Sequence, residues 1–200
     1  MSGMRLRLLW IGLVGVLLAP EARAVSLALT PVSSVAAVGG SVAIAIEIAG
    51  LGNQVPPTLS SFDLDVTFDP SVLSFQSATF GSALGTGFDV FTSTAPIGPG
   101  SLDVAAASLL DSATLDASQP GSFTLATLIF QAIAPGVSPL TIADAILADT
   151  SSIPGGNQIF VDSFGAASVT VAPIPEPSAL LVFAAGVLLV RSGPGYLRKR

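Results

Sequence analysis

The chain has 200 residues, a formal net charge of −6, and neither cysteine nor histidine. Without those two residue types, it can form no disulfide, no zinc site of the usual kind, and no Ser-His-Asp or Cys-His catalytic arrangement. All seven basic residues lie before position 25 or after position 190, and residues 25–174 carry eleven acids. The net charge of residues 25–174 is −11, which makes nucleic acid and anionic membrane poor partners for this stretch, because phosphate contacts need lysine and arginine.

Residues 1–24 have the pattern of a secretory signal peptide. Two arginines near the start supply a positive segment, residues 8–19 form an apolar run, and Ala22-Arg23-Ala24 is a small-x-small cleavage site. Cleavage there leaves Val25 as the first residue of the mature chain. The alternative is an uncleaved N-terminal anchor, for which the apolar run is short, because a membrane-spanning helix needs about 20 residues.

Residues 25–172 are predicted to form one all-β domain, because apolar residues alternate with polar or small ones at a period of two rather than 3.6. The alternation is clearest over 42–49 and 62–69. Short strands separated by Gly and Pro turns are typical of an antiparallel β-sandwich. Further strands are predicted over 26–30, 72–80, 87–93, 101–107, 122–132, 139–147 and 165–172, and a helical turn is predicted within 105–117.

Side-chain positions on these strands predict which phenylalanines form the core. The inward-facing set on the second clear strand is expected to be Phe62, Leu64, Val66 and Phe68. Phe75, Phe123 and Phe130 are also expected in the core. Phe88 and Phe91 are expected to flank an exposed patch.

The segment from Phe62 to Leu73 reads Phe-Asp-Leu-Asp-Val-Thr-Phe-Asp-Pro-Ser-Val-Leu and resembles the strand–turn–strand signature of cohesin domains. Segments 38–42, 121–132 and 138–142 resemble other parts of the same family, in the family's order. The resemblance covers about residues 26–172. It implies a nine-stranded jelly-roll sandwich, related to a group of carbohydrate-binding modules, and binding to another protein, since cohesins bind dockerin modules.

The domain offers carboxylate chemistry alone. Most of its aspartates alternate toward solvent, whereas glycoside hydrolysis needs one carboxyl group held protonated, so we predict that the chain is not an enzyme. Calcium, which takes six to eight oxygen ligands, is the one candidate cofactor, with Asp63, Asp65 and Asp69 as ligands. A second acidic set, Asp144, Asp149 and Asp162, flanks a Gly-rich loop. The alternative is a solvated, self-repelling surface that keeps an apolar domain in solution.

Residues 173–200 form a tail of three parts. Pro175-Glu176-Pro177 comes first, residues 178–190 are an uncharged stretch predicted to be a transmembrane helix, and residues 191–200 form a basic end. Thirteen helical residues rise about 20 Å, a short span for a hydrocarbon core about 30 Å thick. An ordinary anchor or a buried core helix are therefore alternatives. The basic residues, which suit the cytoplasmic side, are Arg191, Arg198, Lys199 and Arg200.

The order of these three parts resembles the PEP-CTERM sorting signal of Gram-negative bacteria. The resemblance implies anchoring in the inner membrane, then removal of the span by an exosortase-like protease, and a final place at the cell surface or in the extracellular matrix. The combined prediction is an exported, non-enzymatic module for protein–protein interaction. The alternative is a polysaccharide-binding module of the exopolysaccharide matrix, although residues 25–174 lack the Trp and Tyr that usually form sugar-binding platforms.

Overall fold

The computed structural model describes residues 24–150 and 156–173. Ala22, the Pro175-Glu176-Pro177 motif, the predicted span 178–190 and the basic end 191–200 lie outside the described residues. No helix in the described part of the chain is long and apolar enough to cross a membrane. The elements are β1 Ser26–Pro31, β2 Val35–Ala37, β3 Ser41–Ala49, β4 Leu59–Thr67, β5 Leu73–Phe80, β6 Val90–Gly98, β7 Ser101–Ser108, α1 Ser112–Ser118, β8 Ser122–Ala132, β9 Gly136–Asp149, β10 Gln158–Ile159, β11 Ser163–Gly165 and β12 Ala167–Ala172.

The strands form two sheets with a shared core between them. The smaller sheet has the order β11-β1-β3-β8-β5, and the larger has the order β2-β12-β9-β4-β7-β6, with β10 added against β9. Neighbouring strands are antiparallel except for β1 with β11 and β2 with β12. The prediction of an all-β sandwich is confirmed, whereas the nine strands implied by the resemblance are exceeded by the twelve in the described residues.

The period-two pattern of the sequence decides which side chains enter the core. On β3, Val42, Ile44, Ile46 and Ile48 are at most 2% exposed, while the residues between them face outward. Phe130 on β8 is fully buried and forms the aromatic centre of the core. Its ring meets Phe68 and Phe75 edge to face, at centroid distances of 5.0 and 5.8 Å, an arrangement that adds to the gain from burial.

Two strand predictions were wrong in detail. Strand β4 ends at Thr67, so Phe68 follows the strand and is half-buried rather than fully inside. The strand predicted over 87–93 begins three residues later, after a 3₁₀ turn over Gly87–Asp89, and runs through Pro96. Proline is tolerated there because, among the described residues, β6 lies at the edge of its sheet and pairs on one side only.

The predicted helical turn lies toward the end of its expected range. Residues 105–107 belong to β7, and α1 begins at Ser112 behind the capping residue Asp111, whose Oδ1 accepts a hydrogen bond of 2.9 Å from the N–H of Thr114. Aspartate is a strong N-cap because its carboxylate satisfies an orphan N–H of the first turn. The helix buries Leu115 alone, so it closes one end of the sandwich without changing its two-layer plan.

A buried glutamine connects the segment after α1 to the larger sheet, and no sequence pattern predicts it. Gln119 is fully buried, and its Oε1 accepts a hydrogen bond from the N–H of Leu59. Its Nε2 donates to the carbonyl of Leu59 at 2.9 Å and to that of Ala83 at 3.2 Å. The amide side chain thus satisfies the backbone at the start of β4 as a neighbouring strand would, which removes the cost of burying it.

Phe130→Ala should lower the free energy of unfolding by about 3–5 kcal/mol, because it removes a fully buried ring and leaves a cavity against Phe68 and Phe75. Phe88→Ala is the matched control, since the Phe88 side chain is 100% exposed, and it should change stability by less than about 0.5 kcal/mol. Urea denaturation measures both. Similar, small losses for the two variants would show that the core is not centred on Phe130.

Candidate functional site

The candidate site is the outer surface of four neighbouring strands of the larger sheet, β6, β7, β4 and β9. The strand register arranges its side chains in three rows that run across the strands. We call these three rows the acidic face: Phe91, Ala107, Ser61 and Ala148; Ser93, Ala105, Asp63 and Ile146; Ala95, Asp103, Asp65 and Asp144. The third row places three aspartates side by side on three adjacent strands.

Alternation explains why these aspartates face outward. On β4, Phe62, Leu64 and Val66 point into the core, so Asp63 and Asp65 between them must point away from it. Residues directly opposite each other on antiparallel strands have Cβ atoms about 5 Å apart. Each carboxylate of the third row is therefore close to a like charge.

The carboxylates of the acidic face repel one another, and no basic side chain lies among them. Partial burial raises the pKa of Asp103, and the charges of Asp63 and Asp65, with a hydrogen bond to the Asp63 carboxyl group, raise it further. No lysine or arginine occurs between positions 25 and 190. The domain itself therefore supplies no side-chain cation to relieve this repulsion.

Exposed apolar groups border the aspartates. Phe91 is 68% exposed and Ile146 is 54% exposed, on opposite sides of the face, and Ile97 near the end of β6 is 54% exposed. Between Phe91 and the carboxylates lie small side chains, chiefly Ala105 and Ala107. The prediction that Phe88 and Phe91 are exposed is confirmed.

The structure separates the three predicted calcium ligands. Asp63 and Asp65 lie on the acidic face, but Asp69 lies in the turn after β4. There its Oδ1 accepts hydrogen bonds from the Ser71 hydroxyl at 2.6 Å and the Ser71 N–H at 2.8 Å, and both bonds lower the pKa of Asp69. Asp103 and Asp144 take the places near Asp63 and Asp65 that Asp69 was expected to fill.

The second acidic set is separated as well. Asp144 belongs to the acidic face, Asp149 accepts a hydrogen bond from the N–H of Asn157, and Asp162 accepts one from the N–H of Val25. Within residues 24–150 and 156–173, no group of three or more acidic side chains is placed to hold a metal ion. Calcium binding therefore stays a prediction of composition, without support from the geometry.

Sequence reasoning did not include Asp103 in a site. The signal was present in the alternation of residues 101–107, which puts Asp103 on the outer surface of its strand. What the pattern lacks is the pairing partner of each strand. Only the register, which sets Asp103 opposite Asp65 and Asp65 opposite Asp144, shows that the three belong to one row.

Comparison with known proteins gives a fold. No family model matches the chain, and no curated protein matches it. Among solved structures, a type II cohesin domain from the cellulosome of Acetivibrio cellulolyticus matches with a TM-score of 0.60 and 19% identity, over 73% of this chain and 95% of that one. A cohesin module from a Clostridium perfringens family 33 glycoside hydrolase matches with a TM-score of 0.58 and 14% identity, over 76% of this chain and 99% of that one.

A third structure is the sixth cohesin of Acetivibrio cellulolyticus scaffoldin B in complex with a mutant Cel5 dockerin. It matches with a TM-score of 0.57 and 18% identity, over 74% of this chain and 99% of that one. The described domain therefore has a cohesin-like fold, as the Phe62–Leu73 segment predicted.

Proposed function

We propose that this chain is an exported, non-enzymatic module that binds a protein partner through the acidic face. The observation that carries the proposal is the row of Asp103, Asp65 and Asp144 on adjacent strands of a domain without basic side chains. Like charges directly opposite each other destabilise a sheet. Natural proteins break such rules of stable design mainly at functional sites.

The chemistry of the face describes the partner. A lysine or arginine laid across the third row would gain charge-assisted hydrogen bonds and remove the repulsion among the carboxylates. Apolar groups of the partner would cover Phe91 on one side and Ile146 on the other. We therefore infer a partner surface that places one or more basic residues between apolar ones. The cohesin-like fold supports a protein partner, because one of the matched cohesins was solved bound to a dockerin.

We propose that export and sorting follow the two ends of the chain. The Ala22-Arg23-Ala24 site would release the mature chain at Val25. Pro175-Glu176-Pro177 would then be read by an exosortase-like protease while residues 178–190 hold the chain in the inner membrane. Removal of the tail would deliver the domain to the cell surface or to the extracellular matrix. The support for this route is the order of these segments in the sequence.

A polysaccharide ligand is the second candidate, and exposed phenylalanines favour it. Phe88 is 100%, Phe160 75%, Phe91 68% and Phe164 50% exposed. Aromatic faces can stack on sugar rings, although phenylalanine lacks the polar group that tyrosine and tryptophan add. This candidate uses the rings, whereas the protein partner uses the carboxylates, so the two can be separated by mutation.

The test is capture from the host's envelope and matrix fractions by the immobilised mature domain. A protein partner on the acidic face predicts capture that is lost when the fraction is treated with protease, that weakens as salt is raised, and that Asp65→Asn reduces. A polysaccharide ligand predicts capture that survives protease and is lost in Phe88→Ala or Phe160→Ala. Protease-sensitive capture that Asp65→Asn leaves unchanged would contradict the assignment of the acidic face.

Asp103→Asn should stabilise the domain and weaken partner binding together. Removing one charge from the crowded row should raise the free energy of unfolding at pH 7 by about 0.2–1 kcal/mol. The same change removes a carboxylate that the partner needs, so the captured amount should fall. Urea denaturation and the capture assay measure the two effects. Asp89→Asn is the control, because Asp89 is exposed and lies in the 3₁₀ turn outside the acidic face.

The gain in stability from Asp103→Asn should increase as pH rises. The folded state raises the pKa of Asp103, so the folded chain holds that proton more tightly than the unfolded chain does. The stabilising contribution of protonated Asp103 is fully present below the unfolded pKa of about 3.9. It is lost as pH rises through the folded pKa. The advantage of Asp103→Asn should therefore be absent in acid and appear as pH rises. A constant advantage at every pH would exclude charge repulsion as its cause.

Glu176→Ala should block removal of residues 178–200 and leave a longer, membrane-held form. The change leaves the apolar span intact, so insertion should be normal. It removes the single charge between Asp162 and Arg191, at a position where a following proline favours an extended backbone. Immunoblots of membrane and medium fractions from the host measure the outcome, with Ser178→Ala as control. Release equal to that of the unmodified chain would replace the sorting signal with a plain C-terminal anchor.

A further inference from the structure

Two hydrogen bonds join Val25 and Asp162 at the point where the parallel strands β1 and β11 begin. The N–H of Val25 donates to Oδ2 of Asp162 at 2.9 Å, and the N–H of Asp162 donates to the Val25 carbonyl at 2.8 Å. Strands β1 and β11 start at the next residues, which pair as Ser26 with Ser163. Val25 is 4% exposed, whereas the Asp162 residue is exposed. A buried backbone nitrogen thus faces a carboxylate 137 residues away in the sequence.

The predicted signal cleavage changes the chemistry of that nitrogen. In the uncut chain it is an amide with one N–H. Hydrolysis of the Ala24–Val25 peptide bond adds water across it, so that Ala24 leaves as a carboxylate with the signal peptide and Val25 keeps an amine that takes up a proton. The resulting ammonium has three donors and a full charge. It is the only formal positive charge between positions 25 and 190.

We propose that Asp162 is the docking site for the new N-terminus produced by cleavage between Ala24 and Val25. The carboxylate already lies at hydrogen-bond distance from the nitrogen that becomes charged, so cleavage converts a neutral contact into an ion pair with charge-assisted hydrogen bonds. Processing therefore strengthens the junction of β1 and β11 at the edge of the smaller sheet. The inference rests on the export proposal above and adds what the folded domain does with its new end.

The backbone around the junction sets the order of events. Gly50 has a φ of +90°, and a Cβ built on it would lie 2.0 Å from the Ala24 carbonyl oxygen and 3.1 Å from the Val25 Cα. Gly50 therefore lies against the peptide bond that must be cut, and Val25 itself is buried. A peptidase that needs this bond extended and accessible must act before the domain closes around it. Cleavage comes first, and docking follows as the domain folds.

The first experiment measures the N-terminus and its reactivity in the exported chain. Mass spectrometry should show Val25 as the first residue. An acetylating reagent at neutral pH should react slowly with the Val25 amine, because a docked ammonium cannot attack, and should react several-fold faster with it in Asp162→Asn. Lys199 is the only lysine in the chain, so few other amines compete. A short peptide with a free valine N-terminus is the internal standard, and Asp89→Asn is the matched control.

The second experiment separates an ion pair from a merely structural role of Asp162. Asp162→Asn should lower the melting temperature of the chain that begins at Val25 by about 2–4 °C, the shift expected for a modest loss in a domain of this size. In a chain that begins at Ala24, position 25 keeps a neutral amide, so the same substitution should have a smaller effect. Equal losses in the two chains, or equal acetylation rates in Asp162→Asn and the unmodified chain, would overturn the docking.

The outcomes distinguish this inference from the export proposal on which it rests. An exported chain that begins at Val25 but shows no dependence on Asp162 leaves export intact and removes the docking. An exported chain that begins at another residue removes the docking site as proposed. A chain found intact from Met1 contradicts cleavage and therefore both proposals.

Discussion

The absence of any basic side chain between positions 25 and 190 is the constraint on which the arrangement of this domain depends. The eleven acids of residues 25–174 must be hydrated or satisfied by other donors. The backbone and the hydroxyl groups supply several of these donors: Asp69 accepts from Ser71, Asp111 from Thr114, Asp116 from Thr58, Asp149 from Asn157, Asp162 from Val25 and Glu47 from Thr30. Donors of this kind favour the ionised carboxylate, which is why the pKa values of Asp69 and Asp111 are lowered.

These contacts divide the acids into two groups with different uses. Asp69 holds a turn, Asp111 caps α1 and Asp162 joins the starts of β1 and β11, so their charges contribute to the architecture. The aspartates of the acidic face lie against one another instead, and the pKa of Asp103 is raised rather than lowered. The repulsion is a local cost that the apolar core between the sheets offsets, since the chain has no disulfide to add stability.

The position of the acidic face in the sheet also bears on its use. Among the described residues β6 pairs with β7 alone, so one border of the face is an open strand edge. Proteins protect such edges with prolines and bulges, and β6 has both, at Pro96 and in the register shift between Pro96 and Gly98. The regular part of β6, with Phe91, is left beside the carboxylates. An apolar anchor and a charged centre thus lie together on a rigid surface.

The sequence by itself determined the class of this fold and much of its strand pattern. A period of two places the core residues of β3 and β4 correctly, and the Phe-Asp-Pro turn ends β4 because Asp69 binds the turn and Pro70 removes a donor. The composition, with no cysteine, no histidine and no base between positions 25 and 190, is enough to exclude most catalytic chemistry. These features are local, or are sums over the chain, and so they can be read from one sequence.

The tertiary structure alone decided which strands are neighbours, and with them the candidate site. Alternation shows that Asp103 faces outward but not that it lies opposite Asp65, because register depends on pairings between distant segments. For the same reason the sequence placed Asp69 with Asp63 in one calcium site, although Asp69 lies in the turn after β4 and not on the acidic face. The contact between Val25 and Asp162 joins residues at opposite ends of the domain, and no local pattern contains it. Only the packed arrangement of β1 beside β11 brings that nitrogen and that carboxylate together.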